Sequence, residues 1–464
     1  MVAHDAGFSS IDREYAGVEL AVEGELPGWL EGTLLRNGPG RFETGDESVD
    51  HWFDGLSLLR AFRFADGGVE FSARFLESEA YRRAMDTGRL PTGGFATGGG
   101  LLQRLRALVA PQPTDNANVS VARYGDQYVA LTEAPRALAF DPGTLETRGR
   151  FRFDDDLAPH LVSAHPVHDP GRGETVNLGV RFGRRHRYLL HRIPDGTTTR
   201  EPIAELAVDR PAYVHSFGLT ADHVVLAEFP LVVRLRRLLS PFGGSFVDSF
   251  EWEPERGTRF RLIDRDDGSV TADLEAPPCF GFHHVNAFER DGRAVVDLVA
   301  FDGPEVLDQL YLDRLQTGVP DLGGELRRYE LPLDADAGAR TEPAVLHEGI
   351  TLPTFDRRRT GEPYRYAYGQ GTATAEDHRL VAVDVEAGET VEFVERGAYF
   401  GEPVVVGRPG GEPGEGVVLS VGLDAATGES FLVALDAGTM AERARAPLPT
   451  GLPFDFHGRF FRGL

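Results

Sequence analysis

Four histidines sit in similar surroundings far apart in the chain: His165 in SAHPVHD, His215 in YVHSFGLT, His283 in FGFHHVNAF and His457 in FDFHGRF. Each follows an apolar or small residue and lies in or beside a short apolar run. Singly, a histidine among apolar residues is more often a hydrogen-bonded core residue than a ligand. Together, at separations of 50, 68 and 174 residues, they compose a candidate metal centre, because such a site gathers ligands from distant parts of a chain. Four neutral imidazoles suit a divalent first-row metal. Zinc would be closed by four ligands, whereas iron(II) takes five or six and keeps two positions open for dioxygen. Carboxylates are then expected one step further out, each taking the second ring N–H of a ligand and fixing its tautomer. Glu133 in ALTEAP and Glu402 in FGEPVVV are the candidates, acidic residues inside otherwise apolar strands, where the competing reading is an edge-strand surface charge. His4, His186, His191, His347 and His378 stand in the tail or among charged and loop residues and are set aside.

Ligands so far apart need a scaffold that returns to one axis. Helical periodicity is scarce, while short apolar runs bounded by Gly, Asp and Pro recur from about residue 30 to the end, among them 128–133, 223–230, 293–301, 378–385, 416–423 and 430–436. These are predicted strands. A weak repeat accompanies them, an apolar strand reaching an aspartate and turning through small residues, as in AFDPGTLE, LIDRDDGSV, AVDVEAGETV and ALDAGTMAE. Aspartate suits the turn by bonding its own backbone, and glycine by accepting positive φ. Strands at this spacing without a separating hinge predict one all-β unit over 1–464, a β-propeller whose innermost strands point at a common axis. Helical segments at 78–88, 100–110 and 304–318 are expected to cap one face.

Composition narrows the functions. The formal charge of −25 argues against nucleic acid as a partner. All 48 basic residues are arginine against 73 carboxylates, a balance expected of a halophilic, cytoplasmic protein, since salt screens the self-repulsion. Cys279 is the sole cysteine, which rules out an intramolecular disulfide, a thiolate zinc finger and an iron–sulfur centre. The N-terminus has no signal-like pattern, and no apolar run is long enough to span a bilayer. There is no GxSxG, phosphate loop or Ser-His-Asp arrangement.

The ordered motifs LEGTLLRNGPGRFE, HWFDGLSLL, YRRAM, TDNANVSV, ALTEAPRALAFDPGTLET, SAHPVHD, YVHSFGLT, FHHVNAFE, EPYRYAYG, GEPVVV, GVVLSV and FHGRF resemble those of the carotenoid cleavage oxygenases. That family includes bacterial apocarotenoid oxygenases, animal β-carotene cleavage enzymes and the vertebrate retinoid isomerase. The resemblance covers nearly the whole chain. It implies a seven-bladed β-propeller with a helical cap, Fe(2+) bound by His165, His215, His283 and His457, and oxygen-dependent cleavage of a C=C bond in a carotenoid or apocarotenoid to give two carbonyl products. It also implies that Glu133 supports His215 and that Glu402 supports His457. Where the family commonly carries a third glutamate, in a pattern like FEFPxxN, this chain reads ITLPTFD and puts Thr351 at that position. A hydroxyl there can accept the N–H of His283 but carries no charge, so weaker iron retention or a shifted potential is expected. Phe53, Thr132, Phe301 and Phe456 are expected to line the substrate cleft. Because such substrates reside in membranes, the segment 228–246, with Leu231, Val232, Val233, Leu235, Leu238 and Leu239 beside Arg234, Arg236 and Arg237, and the segment 100–110 are expected to give peripheral membrane contact. The alternatives are a stilbenoid substrate or retinoid isomerohydrolysis on the same iron. Stilbene-cleaving relatives use a lysine and tyrosine pair, and this chain cannot supply the lysine.

Overall fold

The computed structural model describes residues 5–90, 94–96, 114–238, 240, 245–317, 322–374 and 377–464. The predicted helix 100–110 lies outside them. The apolar runs fold into antiparallel sheets that follow one another around an axis. Five sheets of four to six strands make one blade each, and a seven-stranded sheet makes two. In the latter, Ala344–Phe355 pairs through its first half with Gly324–Pro332 and through its second half with Tyr366–Thr374. The ladder loses register between Thr351 and Thr354, where Leu352 adopts φ 44°, so one strand closes the fifth blade and opens the sixth.

The ring is closed by its two ends. His457–Phe461 adds to Gly32–Arg41 with Asn37 opposite His457, so the last strand of the chain becomes the innermost strand of the first blade. Seven apolar clusters fill the seven spaces between adjacent blades. The cluster of Leu34, Phe62 and Phe71 with Val417, Leu419 and Leu432 joins the seventh blade to the first. Each blade buries both faces, which is why its central strands read as continuous apolar runs. Hydrophobic burial at about 25 cal/mol per Å² thereby acts at every seam of the ring.

The aspartate repeat marks the hairpins. Asp141, Asp264, Asp384, Asp424 and Asp436 each accept, through Oδ1, the backbone N–H groups two and three residues on, at 2.7–3.1 Å. Gly268, Gly388 and Gly428 then take the left-handed position at φ 71–73°. In two of the turns Leu145 and Met440 occupy it instead.

An eighth cluster lies over one end of the axis and contains the cap. The helix predicted at 78–88 is Glu79–Thr87, begun by Ser78 Oγ accepting Tyr81 N–H at 2.9 Å and stopped by Gly88 at φ 64°. The segment predicted as one helix over 304–318 is two, Glu305–Gln309 and Leu312–Thr317. Tyr311 leaves the helical path to bridge His51, and His51 Nε2 meets Leu307 O at 3.1 Å. Among the described residues, no helix is long and apolar enough to cross a membrane.

Candidate metal centre

The four histidines stand at the start of, or in the loops beside, the innermost strands of four blades. His165 lies between Leu161–Val162 and Val167–Asp169; His215 precedes Gly218–Leu219; His283 directly precedes His284–Arg290; His457 begins the last strand. One nitrogen from each ring lies within 4.8 Å of the others. Ring centroids of His165 stand 4.4 Å from His215, 5.1 Å from His283 and 4.4 Å from His457. The buried Nε2 atoms of His165 and His283 have no hydrogen-bond partner. Orphaned nitrogens facing one another are costly unless a cation takes their lone pairs, so this donor set fits a metal ion.

Glu133 and Glu402 stand where the outer carboxylates were expected. Glu133 Oε1 takes His215 Nδ1 at 2.7 Å, and Glu402 Oε1 takes His457 Nδ1 at 2.8 Å. Each carboxylate accepts an Nδ1–H, which leaves the Nε2 lone pair directed at the centre. Thr351 is half-buried on the shared strand described above and makes no hydrogen bond to His283 among the described residues. The neighbouring His284 turns elsewhere, with Nδ1 2.9 Å from Ser216 Oγ.

Two features of the site carried no signal in the sequence. Tyr213 donates its hydroxyl to Glu133 Oε1 at 2.7 Å, the same oxygen that holds His215. Burial and the charge of Glu133 keep the Tyr213 phenol protonated far above its ordinary range. A chain of side-chain bonds also ties each inner loop to the next. Asn37 donates to Ala117 O at 2.8 Å, Ser120 to Ala164 O, Ser163 to His215 O at 2.6 Å and Ser216 to Phe282 O at 2.7 Å. Asn286 then donates to Arg359 O at 2.9 Å, Gln370 to Phe400 O, and Arg36 to Glu402 O at 2.9 Å. Buried carbonyls that would otherwise lack partners are satisfied in this way, and the loops bearing the histidines are fixed in mutual position.

An aromatic wall borders the imidazoles on the cap side. Phe282 lies 5.4 Å from His215, and Phe53 lies 6.3 Å from Phe282 and 5.3 Å from Phe456. Phe301 is 6.2 Å from Phe282. Trp52, Phe280 and Phe95 belong to the same cluster. Thr132 is buried immediately before Glu133 and makes none of these ring contacts.

The apolar half of the expected membrane segment is interior. Leu231, Val232 and Val233 are 5%, 1% and 3% exposed. They form a strand paired with Phe250–Trp252, packing being the cheaper fate for a β-branched run beside an available edge. Leu235 and Leu238 are half-exposed beside exposed Arg236 and Arg237, while Leu239 and 241–244 lie outside the described residues.

Burial and the neighbouring imidazoles hold His165 and His283 neutral well below the ordinary histidine range. Burial also lowers His284 to about 3 and His191 to about 4. A histidine whose pKa is depressed in the folded state binds fewer protons there than in the unfolded chain between the folded pKa and about 6.5. Stability is therefore complete above pH 6.5 and falls as the pH drops towards 4, by about 1.4 kcal/mol per pH unit for each such ring. Denaturant midpoints of metal-depleted protein between pH 7 and 4 are expected to fall steadily, and His191→Phe is expected to flatten the slope.

The family model described as retinal pigment epithelial membrane protein matches residues 8–462. The chain is 31% identical to the mitochondrial carotenoid-cleaving dioxygenase of Macaca fascicularis, covering 97% of this chain and 93% of that one. It is 33% identical to the chloroplastic carotenoid cleavage dioxygenase 8 of Arabidopsis thaliana, covering 97% and 85%. Among solved structures, a variant of Synechocystis apocarotenoid oxygenase superposes with TM-score 0.88 at 26% identity over 99% of this chain and 98% of that one. The cobalt-substituted form of the same oxygenase gives 0.87 at 26% over the same shares. With a seven-bladed propeller, four axial imidazoles and a family match over nearly its whole length, the chain belongs to the carotenoid oxygenase family.

Proposed function

We propose that the protein is a non-haem iron(II) dioxygenase that cleaves one C=C bond of a carotenoid or apocarotenoid with O2, giving two carbonyl products. The observation that carries this reading is the convergence of four imidazoles, two with orphaned nitrogens, against an aromatic wall. His165, His215, His283 and His457 would hold the iron, which when bound supplies the activation of dioxygen. Glu133 and Glu402 retain the Nδ1 protons of His215 and His457, so neither ring can turn its lone pair away. Tyr213 keeps Glu133 in place. Phe53, Phe282, Phe301 and Phe456 offer flat apolar faces to a polyene and exclude water from the reacting bond. The overall balance needs no acid–base pair, since both oxygen atoms of O2 end in the two carbonyl groups.

Iron-loaded protein incubated with β-carotene and with a β-apocarotenal, aerobically and anaerobically, is expected to yield aldehydes of defined mass only when oxygen is present. Products formed equally without oxygen would instead assign isomerisation or hydrolysis.

Peripheral membrane contact is proposed for the short helix Leu235–Leu238, whose two leucines and two exposed arginines suit an anionic lipid surface. Leu235→Asp is expected to reduce co-flotation with anionic liposomes several-fold. Equal flotation of variant and parent would remove this segment from the membrane contact.

A further inference from the structure

Two motifs of the sequence, HWFDG over 51–55 and TDNANV over 114–119, carry none of the four histidines, yet the fold packs them against each other. HWFDG belongs to the connection between Gly32–Arg41 and Leu56–Ala65 in the first blade, and TDNANV leads into Ser120–Tyr124 in the second. Between them stands Phe53, whose backbone is held on both sides by buried side chains. Its N–H is donated to His51 Nδ1 at 3.1 Å, and its carbonyl accepts Asn118 Nδ2 at 2.8 Å. His51 and Asn118 are 0% and 2% exposed.

Each holder is itself fixed. Because His51 Nδ1 accepts, the ring proton lies on Nε2 and goes to Leu307 O in the cap at 3.1 Å. Asn118 Nδ2 also donates to Gly55 O at 2.8 Å, where Asn116 Nδ2 joins it at 2.8 Å. Asn116 Oδ1 in turn accepts Ser57 N–H at 3.0 Å. The Asp54 carboxylate takes the N–H groups of Phe95 and Ala96, which sets the Phe95 ring 5.2 Å from that of Phe53. The Phe53 ring is thus placed from the first blade, the second blade and the cap at once. It stands 5.3 Å from Phe456 and 6.3 Å from Phe282, the residues immediately before His457 and His283.

We propose that His51 and Asn118 are positioning residues that set which double bond of a polyene lies over the metal, by holding Phe53 at a fixed place in the cleft. The inference rests on the reading of that cleft as a polyene site. A conjugated chain presents the same flat apolar face at every double bond, so apolar contact alone gives it no register along its length. A rigid ring at a fixed distance from the metal does. A phenylalanine on a turn would otherwise move with its backbone, and a displacement of about 1 Å can cost about 100-fold in rate. Hydrogen bonds to both the N–H and the carbonyl of Phe53 suppress that displacement without placing a polar group against the substrate.

The test compares full-length variants. His51→Phe keeps a ring beside Phe53, Phe95 and Tyr311 but loses the acceptor. His51→Asn keeps an acceptor for Phe53 N–H, as asparagine does at helix starts, but loses the ring packing. With iron-loaded protein and a β-apocarotenal under air, the parent is expected to give one pair of carbonyl products. His51→Phe is expected to add a second pair displaced by one double bond, with kcat/KM lower by about 10–100-fold. His51→Asn is expected to keep the single pair although it melts below His51→Phe. Asn118→Ala, which frees the Phe53 carbonyl, is expected to behave as His51→Phe does, so the outcome can be read even where one variant fails to fold. Binding of the apocarotenal to metal-depleted protein tests the clamp without the reaction, read by tryptophan quenching, since Trp52 lies 4.7 Å from Phe456. The Kd is expected to rise about fivefold in His51→Phe and Asn118→Ala and by less than about twofold in His51→Asn. A parent that binds with these shifts yet forms no aldehyde would sink the oxygenase reading and leave the clamp standing. A single product pair from every variant with an unshifted Kd would overturn the proposal, as would product spread that simply follows the melting temperature, or a parent that binds no apocarotenal.

Discussion

His283→Ala is expected to fold, to lose its metal and to lose oxygen-dependent cleavage, while His284→Ala beside it keeps both. The two rings share a sequence context that does not distinguish them, FHH. Their surroundings do. His283 lies 5.1 Å from both His165 and His215 and 4.9 Å from His457, ring centre to ring centre, whereas His284 Nε2, although it too lacks a partner, is outside that group. His284 spends Nδ1 on Ser216, and its backbone N–H also meets Ser216 Oγ at 2.9 Å. Loss of an outer hydrogen-bond partner typically weakens metal affinity by about 10–100-fold, so removal of a ligand itself should exceed about 100-fold. Metal content after dialysis against a weak chelator and product formation under air check both variants. Retention of metal by His283→Ala with loss in His284→Ala would reverse the assignment.

The second large effect is on stability. Arg36 is fully buried, and its Nε and Nη2 each lie 2.6 Å from one oxygen of Asp455. A third nitrogen reaches Glu402 O, and Nη2 stands 3.9 Å from Glu402 Oε2. The guanidinium therefore fastens the first blade to the seventh directly behind the carboxylate that holds His457. Arg36 and Arg60 keep the Asp455 carboxyl ionised below the usual range in spite of burial. Arg36→Met strands that charge, and breaking a buried pair costs about 3–5 kcal/mol. Arg60 remains 3.8 Å from Asp455, which favours the lower figure. For a chain of this length the thermal midpoint should drop by about 3 °C. The double variant Arg36→Met/Asp455→Leu is expected to recover only part of that loss, because it removes the stranded carboxylate but leaves the buried Arg60 without its acid. It should nevertheless bind metal less tightly than the parent, since Glu402 has lost its anchor.

The sequence made the convergence of the four histidines legible because each sits at the edge of an apolar run and because blades recur at intervals that return to one axis. Glu133 and Glu402 were legible for the same reason, as carboxylates where strands are otherwise apolar. What escaped was decided by contacts between distant segments. Leu231–Val233 reads as a surface patch when set beside Arg234, but Phe250–Trp252 supplies it with a strand partner. His191 stands among charged residues in the chain, yet it is only 2% exposed, because its strand is central to the third blade. The helix expected over 304–318 is interrupted at Tyr311 by His51, more than 250 residues away. Tyr213 reads as one more aromatic in a strand, and only the fold brings Glu133 to its hydroxyl.

Four imidazole nitrogens around one ferrous ion, with room left for dioxygen, are what the cleavage chemistry requires. Iron X-ray absorption on anaerobically loaded protein measures that directly. One iron per chain, in a five- or six-coordinate shell with four imidazoles, is the predicted result. A shell with fewer than four imidazoles, or protein that retains only tightly held zinc in a closed tetrahedron, would contradict it.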